Sequence, residues 1–322
     1  MVVAVIGGGI SSEHEVSLRS AASVAAGLRE AGHETIEVTI GKDGRWSTDS
    51  GGISCSPGDG LLGADVAFPV LHGPGGEDGS IQGLLEVLDV PYAGSDVEAS
   101  AICMDKLVFK DLLARHGLPQ VDYCRAGEEE WRELASGFGQ PLWVKPARLG
   151  SSVGIAPASG EEELDQAVEA ASRHDPRVIV EAPAPGKEVE CSLLGNDQPI
   201  ASPPGEIVTK GGHDWYDYEA KYAEGGMELL VPAEISETAR ERVRELARIV
   251  FTLCGCSGLA RCDFFVDGDE VLVNELNTIP GFTETSVYGK LFEADGIAYP
   301  ELCDRLVKLA VDRYEESKRY EF

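Results

Sequence analysis

The segment from Ala260 to Asn277 constrains this chain more tightly than any other. Strand-forming residues flank Gly268-Asp269-Glu270 on both sides, the pattern of a β-hairpin. Side chains on a strand alternate between faces. Arg261, Asp263 and Phe265 therefore share one face of the first arm, and Glu275 and Asn277 share one face of the second. A three-residue loop at Gly268-Asp269-Glu270 sets Asp263 opposite Glu275 and Arg261 opposite Asn277. A slip of one residue would destroy this arrangement. Two carboxylates directly opposed repel unless a cation lies between them. Oxygen donors from Asp263, Glu275 and Asn277, with positions left open for phosphate, suit Mg²⁺. Taken alone, the segment also fits an exposed hairpin with solvated acids.

The remainder reads as three α/β or α+β units without an internal repeat. Val2 to Ile6 is a buried strand, followed by Gly7-Gly8-Gly9 and a helix that Ser12 and Glu15 open as a capping box. Gly32 ends that helix, and Glu34 to Ile40 returns as a strand, completing a βαβ unit. Asp65 to Leu71 adds a buried strand, and Ile81 to Leu88 a helix. In the second unit Ser100 caps one helix running through Met104 and Leu112 to Gly117. Strands follow at Pro141 to Lys145, Val153 to Ile155 and Val178 to Val180, with a helix at Leu164 to Ala171. The third unit opens after Ala182-Pro183-Ala184-Pro185-Gly186. Its strands lie near Val189 to Leu194 and Glu206 to Val208, and Ser236 caps a long amphipathic helix. Pro300 starts the final helix. The expected divisions are 1–95, 96–182 and 183–322.

Charge and composition exclude several functions. With 27 Lys and Arg against 56 Asp and Glu, the net charge is −29. Such a field repels a nucleic-acid backbone, so no nucleic-acid partner is expected, and any anionic substrate needs cations placed locally. No apolar run approaches the roughly 18 residues of a membrane span, and the opening strand lacks the basic flank of a signal peptide. The 8 cysteines are scattered without zinc spacing. Cys254 and Cys256, the one close pair, read as small buried thiols, and the chain as a reduced, cytoplasmic protein.

Four further segments carry chemistry. Lys145-Pro146-Ala147-Arg148-Leu149-Gly150-Ser151-Ser152-Val153-Gly154 places a strand-end lysine before a turn whose N–H groups can cradle phosphate, or which is a plain hairpin turn. It is not a Walker A loop, because no Gly-Lys pair is followed by Ser or Thr. Gly7-Gly8-Gly9 likewise departs from the dinucleotide-binding pattern, since Ser12 stands where the last glycine belongs. The loop His72 to Gly79 holds four glycines and two acids, and either brings backbone donors to an anion or simply leads into the next helix. Trp215 to Tyr222 forms a lid or packs on a neighbouring unit. Asn277-Thr278-Ile279-Pro280-Gly281 runs from the acidic strand into a turn whose N–H groups can hold an oxyanion. No Gly-x-Ser-x-Gly nucleophile elbow is present.

Together these segments resemble the D-alanine–D-alanine ligases of the ATP-grasp superfamily, in order and over essentially the whole chain. His72 to Gly83 is similar to one family signature. Arg261 to Phe265 with Asn274 to Gly281 is similar to a second. Glu13-His14-Glu15-Val16-Ser17, Met104-Asp105-Lys106, Gly150 to Gly154 and Tyr216 to Tyr222 are comparably close. The resemblance implies a three-domain ATP-grasp architecture with an N-terminal βαβ, Rossmann-like domain that binds substrate. It implies ATP-dependent ligation of two D-alanines through an acyl phosphate, for peptidoglycan precursors, by a cytoplasmic homodimer. The alternative is a relative that joins D-alanine to another D-amino or hydroxy acid.

The resemblance also assigns residues. Lys106, Lys145 and Lys221 would meet the ATP phosphates, with Ser151, Ser152 and Asn274 beside the nucleotide. Glu181, with the backbone of Ala182 and Ala184, would hold the adenine, and Glu188 the ribose. Asp263, Glu275 and Asn277 would hold two Mg²⁺ (or Mn²⁺) ions, with Glu275 bridging. Arg261 and the Gly281 N–H would face the developing oxyanion. Glu13 would receive the first substrate's ammonium near His72, and Ser286 the second substrate's carboxylate. Glu13, Ser151 and Tyr222 would form a hydrogen-bond chain closing the loop, with Tyr222 pointing to the dipeptide-forming branch. Two departures stand out: Gly289 where proline is expected, which loosens that segment, and small residues at Ala182-Pro183-Ala184, which weaken the adenine contact.

Overall fold

The computed structural model describes residues 1–150, 153–209 and 227–320. Ser151, Ser152, Lys221, Tyr222 and the rest of the aromatic loop lie outside the described residues.

The first segment comprises β1 (Val2–Gly8), α1 (His14–Glu30), β2 (Glu34–Ile40), β3 (Trp46–Thr48), β4 (Gly51–Gly52), β5 (Val66–Pro69) and α2 (Ser80–Val87). Its sheet runs β4-β3-β2-β1-β5, with β1 parallel to both β2 and β5. Burial on both faces explains why β1 is an unbroken apolar run and not an alternating one. The Ser12 capping box does not form. Ser12 is exposed, and α1 begins one residue later with Glu13 at its N-cap and no side-chain cap. Ser11 holds this turn instead: its hydroxyl donates to the His72 carbonyl at 2.7 Å and accepts the Glu13 N–H at 3.2 Å. The Glu13 side chain is thereby left to face inward.

The second segment comprises α3 (Val97–Met104), α4 (Lys106–Arg115), β6 (Tyr123–Arg125), α5 (Trp131–Ser136), β7 (Leu142–Pro146), β8 (Ala156–Ala158), α6 (Glu161–Ser172) and β9 (Val178–Glu181). Its antiparallel sheet runs β6-β9-β7-β8. The single helix expected from Ser100 is two. Asp96 caps α3 by accepting the Ala99 N–H at 2.9 Å, and Ser100 is buried inside that helix. Asp105 is extended and breaks the run. It accepts the Leu107 and Val108 N–H groups at 3.2 and 3.3 Å and pairs with Arg177 at 2.7 Å. The break places Lys106 at the first position of α4.

The third segment comprises β10 (Lys187–Gly195), β11 (Ile200–Ala201), β12 (Gly205–Thr209), β13 (Met227–Leu230), α7 (Glu237–Leu253), β14 (Gly258–Asp267), β15 (Glu270–Asn277), α8 (Val287–Ala294) and α9 (Tyr299–Ser317). Its sheet runs β13-β12-β10-β14-β15, with β11 on β10. Ser236 caps α7 as expected, accepting the Ala239 N–H at 3.0 Å, and its hydroxyl also meets Asp269. Ser236→Ala is expected to cost about 1 kcal/mol, read from the urea midpoint of the purified chain.

The hairpin is tighter at its tip than expected. A two-residue turn, Gly268-Asp269, joins the arms, and Gly268 has the positive φ of 60° that such a turn needs at its first position. That turn alone would pair Asp263 with Asn274. A register shift between Asp263 and Phe264 adds one residue to β15, and Asp263 again opposes Glu275 while Arg261 opposes Asn277.

The apolar cores do not follow the sheets one to one. Ala99, Cys103, Phe109 and Leu113 of α3 and α4 pack with β10, β14 and α7. Leu302, Leu306 and Ala310 of α9 pack with Val3, Val24 and Leu28 of the first segment. All 8 cysteines are free thiols and only Cys55 is exposed. No described helix is long and apolar enough to cross a membrane.

Candidate active site

The three segments meet around a cavity of about 710 Å³. Every described residue that the sequence points to lines it. Glu13 and His72 come from the first segment; Lys106, Lys145, Glu181, Ala182 and Ala184 from the second and the linker after it. Glu188, Arg261, Asp263, Asn274, Glu275, Asn277, Gly281 and Ser286 come from the third.

The hairpin builds one wall. Arg261 donates from Nε to Asp263 Oδ1 and from Nη2 to Asp263 Oδ2, both at 2.7 Å, and the Asn277 amide donates to Asp263 Oδ2 at 3.1 Å. Because the extra residue in β15 is Asn274, Asn274 and Glu275 both reach the cavity, although strict alternation would have separated them. Glu275 lies 3.6 Å from the Lys106 ammonium. Lys106 also donates to the Leu149 carbonyl at 2.9 Å, and its backbone N–H to Ala147 at 3.0 Å. Among the described residues no three acids or histidines converge to hold a metal by themselves. Two carboxylates with an amide oxygen and room for phosphate are nevertheless a donor set that suits a hard divalent cation.

The opposite wall carries a buried cluster of charge. Glu181 is 3% exposed. One of its oxygens lies 2.5 Å from Lys145 Nζ and the other 3.2 Å from Lys110 Nζ. Burial works against its ionisation, but the two ammonium groups outweigh burial and hold the carboxyl at about 2. Burial likewise works against the Lys145 charge, and Glu181 overcomes it, leaving that lysine above its usual value. Lys110 is moved down, because burial is stronger there and Lys145 repels it. The sequence reading missed Lys110. Its signal was the four-residue spacing from Lys106, which puts both ammoniums on one face of α4.

At the far end of the cavity His72 is buried. Its Nδ1 lies 3.0 Å from the Ile279 carbonyl, an acceptor only, so that nitrogen carries the proton. Burial keeps the ring neutral by lowering its pKa, and Nε2 accepts from the Ser20 hydroxyl at 3.1 Å. Glu77, also missed, accepts from Gly73 N–H at 2.7 Å and Ile279 N–H at 3.3 Å. Burial and the Glu13 charge push its carboxyl up to about 8. Gly73 has a φ of 74°, and a Cβ there would fall 2.8 Å from Glu13 Oε2, so the acid reaches the cavity only past a glycine. Ser286 stands at the start of α8 without capping it, and its hydroxyl closes the preceding turn by accepting the Thr283 N–H at 3.0 Å. Gly289 is buried in an unbroken α8, where a Cβ would sit 3.3 Å from the Thr283 carbonyl, a tight contact.

Two antiparallel sheets flanking a cleft lined with lysines and acids, beside a parallel α/β unit, define a ligase of the ATP-grasp class. A family profile described as D-ala D-ala ligase C-terminus matches residues 112–308, and one described as D-ala D-ala ligase N-terminus matches residues 2–59 and 53–95. A D-alanine–D-alanine ligase of Deinococcus radiodurans is 47% identical over 335 residues, covering 96% of this chain and 98% of its own. One from Caldicellulosiruptor bescii is 39% identical, covering 99% and 98%. Among solved structures, the D-alanine-D-alanine ligase from Coxiella burnetii superposes with a TM-score of 0.89 at 36% identity, covering 99% of this chain and 96% of that one. The D-Ala:D-Ser ligase from Enterococcus faecalis superposes with 0.86 at 33% identity, covering 96% and 99%. The chain belongs to the D-alanine–D-alanine ligase family, whose chemistry uses ATP and a divalent metal.

Proposed function

We propose that this chain joins two D-alanines into D-alanyl-D-alanine for cell-wall synthesis, in two steps within the cavity between its three segments (1–95, 96–182 and 183–322). The observation that carries the reading is the facing of two walls: Asp263, Glu275 and Asn277 on one, Lys106 and Lys145 on the other. Those lysines, with Lys221, offset the charge of the ATP phosphates, which the acidic chain would otherwise repel. Glu181, Ala182 and Ala184 hold the adenine, Glu188 the ribose, and Asn274, Ser151 and Ser152 border the phosphates. Asp263, Glu275 and Asn277 would hold two Mg²⁺ or Mn²⁺ ions, which supply charge neutralisation at the transferring phosphoryl group when bound.

Glu13 receives the ammonium of the first D-alanine and keeps its carboxylate turned toward the γ-phosphate, where attack gives an acyl phosphate and ADP. The amine of the second D-alanine, whose carboxylate Ser286 holds, attacks the acyl carbon. Arg261 and the Gly281 N–H donate to the oxyanion of the tetrahedral intermediate, which collapses to dipeptide and phosphate. A neutral His72 fits this site, since a second cation there would compete with the substrate ammonium for Glu13. Ser151 and Tyr222 complete the closure that keeps water from the acyl phosphate.

The Enterococcus faecalis neighbour raises D-serine as an alternative second substrate. The purified chain with ATP, Mg²⁺ and D-alanine alone should release ADP and form D-alanyl-D-alanine, identified by mass. A panel pairing D-alanine with D-serine and D-lactate reads the second site. ADP release only with one of those would replace the dipeptide reading. The family resemblance also supports a cytoplasmic homodimer, which light scattering of the purified chain checks.

A further inference from the structure

Glu190 has no role in the reading above, yet it stands at the centre of the acidic wall. On β10 it pairs with Asp263 of β14, which pairs with Glu275 of β15. Three carboxylates thus run in one row across three neighbouring strands, and all three line the cavity. Glu190 is only 4% exposed. A carboxylate so buried stays charged only beside a cation. Among the described residues Arg261 supplies one, its Nε 2.9 Å from Glu190 Oε2.

One guanidinium is therefore shared by two carboxylates, and their duties differ. Arg261 now makes two bonds of 2.7 Å to Asp263. Asp263 cannot keep both oxygens on Arg261 and also hold a metal ion. Glu190 is not among the residues assigned to the metal, and it lies beside the same guanidinium on the neighbouring strand. We propose that Glu190 is a positioning residue that retains Arg261 in the cavity when Asp263 turns to the metal, an inference that rests on the ligase reading above. It acts through Arg261 and touches neither substrate. Without it, Arg261 loses the carboxylate on β10 and stays on Asp263, where it competes with the cation.

The test compares Glu190→Gln, Arg261→Ala and the double variant. One readout is ADP release with D-alanine. The second is Mn²⁺ binding, followed by electron paramagnetic resonance with a non-hydrolysable ATP analogue and no D-alanine. Glu190→Gln should lower kcat by about 10–10²-fold with the KM for ATP within about twofold, and should weaken Mn²⁺ binding about threefold or more. In the Arg261→Ala background the same change should alter either readout by less than about twofold, because groups acting as a unit are not additive. The double variant should also melt above Arg261→Ala, since it no longer strands a buried acid. Equal losses in both backgrounds would overturn the proposal and leave Glu190 a plain source of negative charge. If Glu190→Gln does not fold, Glu190→Asp, which keeps the charge but shortens the reach, should give the same kinetic pattern, and wild-type kinetics there would equally overturn it. Asp263→Asn is the control for the underlying reading: Mn²⁺ bound normally by that variant rejects the metal assignment itself, independently of Glu190.

Discussion

Glu275→Gln is expected to abolish most turnover at saturating Mg²⁺ while leaving the fold intact. The change keeps the shape and one oxygen and removes only the charge. Glu275 opposes Asp263 across the hairpin, and Lys106 lies 3.6 Å from it, so two facing carboxylates leave the wall suited to a ligand that brings positive charge with it. ATP adds up to about four negative charges to a chain already at −29. A bound divalent ion is worth several kcal/mol to a transferring phosphoryl group, and about 1.4 kcal/mol is a factor of ten, so a loss on the order of 10³-fold follows. The side chain is 25% exposed, so circular dichroism and the melting temperature should hardly change. ADP release at the wild-type rate would remove Glu275 from the metal site, and with it the role assigned to the hairpin.

The hairpin also shows how far a single sequence can be read. The pairing of Asp263 with Glu275 was legible, but through two errors that cancel. A three-residue loop was assumed where Gly268-Asp269 turns in two, and the extra residue at Asn274 restores the register. The bulge left a trace: Val271, Val273 and Leu276 are all buried, and the step of three between the last two breaks the period. The helix break at Asp105 was missed for a different reason. Apolar periodicity runs unbroken through Met104 and Leu107 and masks the local cap that Asp105 makes to Leu107 and Val108, while its ion-pair partner, Arg177, lies far along the chain. Glu190 and Lys110 were invisible because each is a charge in an otherwise apolar environment. Their partners, Arg261 and Glu181, lie 71 residues away in sequence, and only the packed sheets bring them together. Motif residues were readable because loops and strand ends carry them; the groups that hold them in place were not.

That buried support predicts the second large effect. Glu181→Gln should destabilise the chain by about 3–5 kcal/mol at pH 7, the usual consequence of removing one partner from a buried ion pair. Lys110 is 1% exposed and would be left with an amide in place of a carboxylate. The pH dependence has a definite sign. Burial opposes ionisation of Glu181, Lys110 and Lys145 reverse that opposition, and the folded-state value lies at about 2, below the ordinary carboxylate range. The stabilisation is therefore complete above the unfolded value of about 4.3 and is lost as pH falls through about 2. The gap in urea midpoint between wild type and Glu181→Gln should be widest near neutrality and close in acid, where the wild-type carboxyl takes up its own proton. Adding Lys110→Met should recover part of the loss at pH 7, because the stranded ammonium is then gone. A gap that stayed constant from pH 7 to pH 2, or no recovery in the double variant, would mean that packing and not the two-lysine clamp fixes Glu181 in the cavity wall.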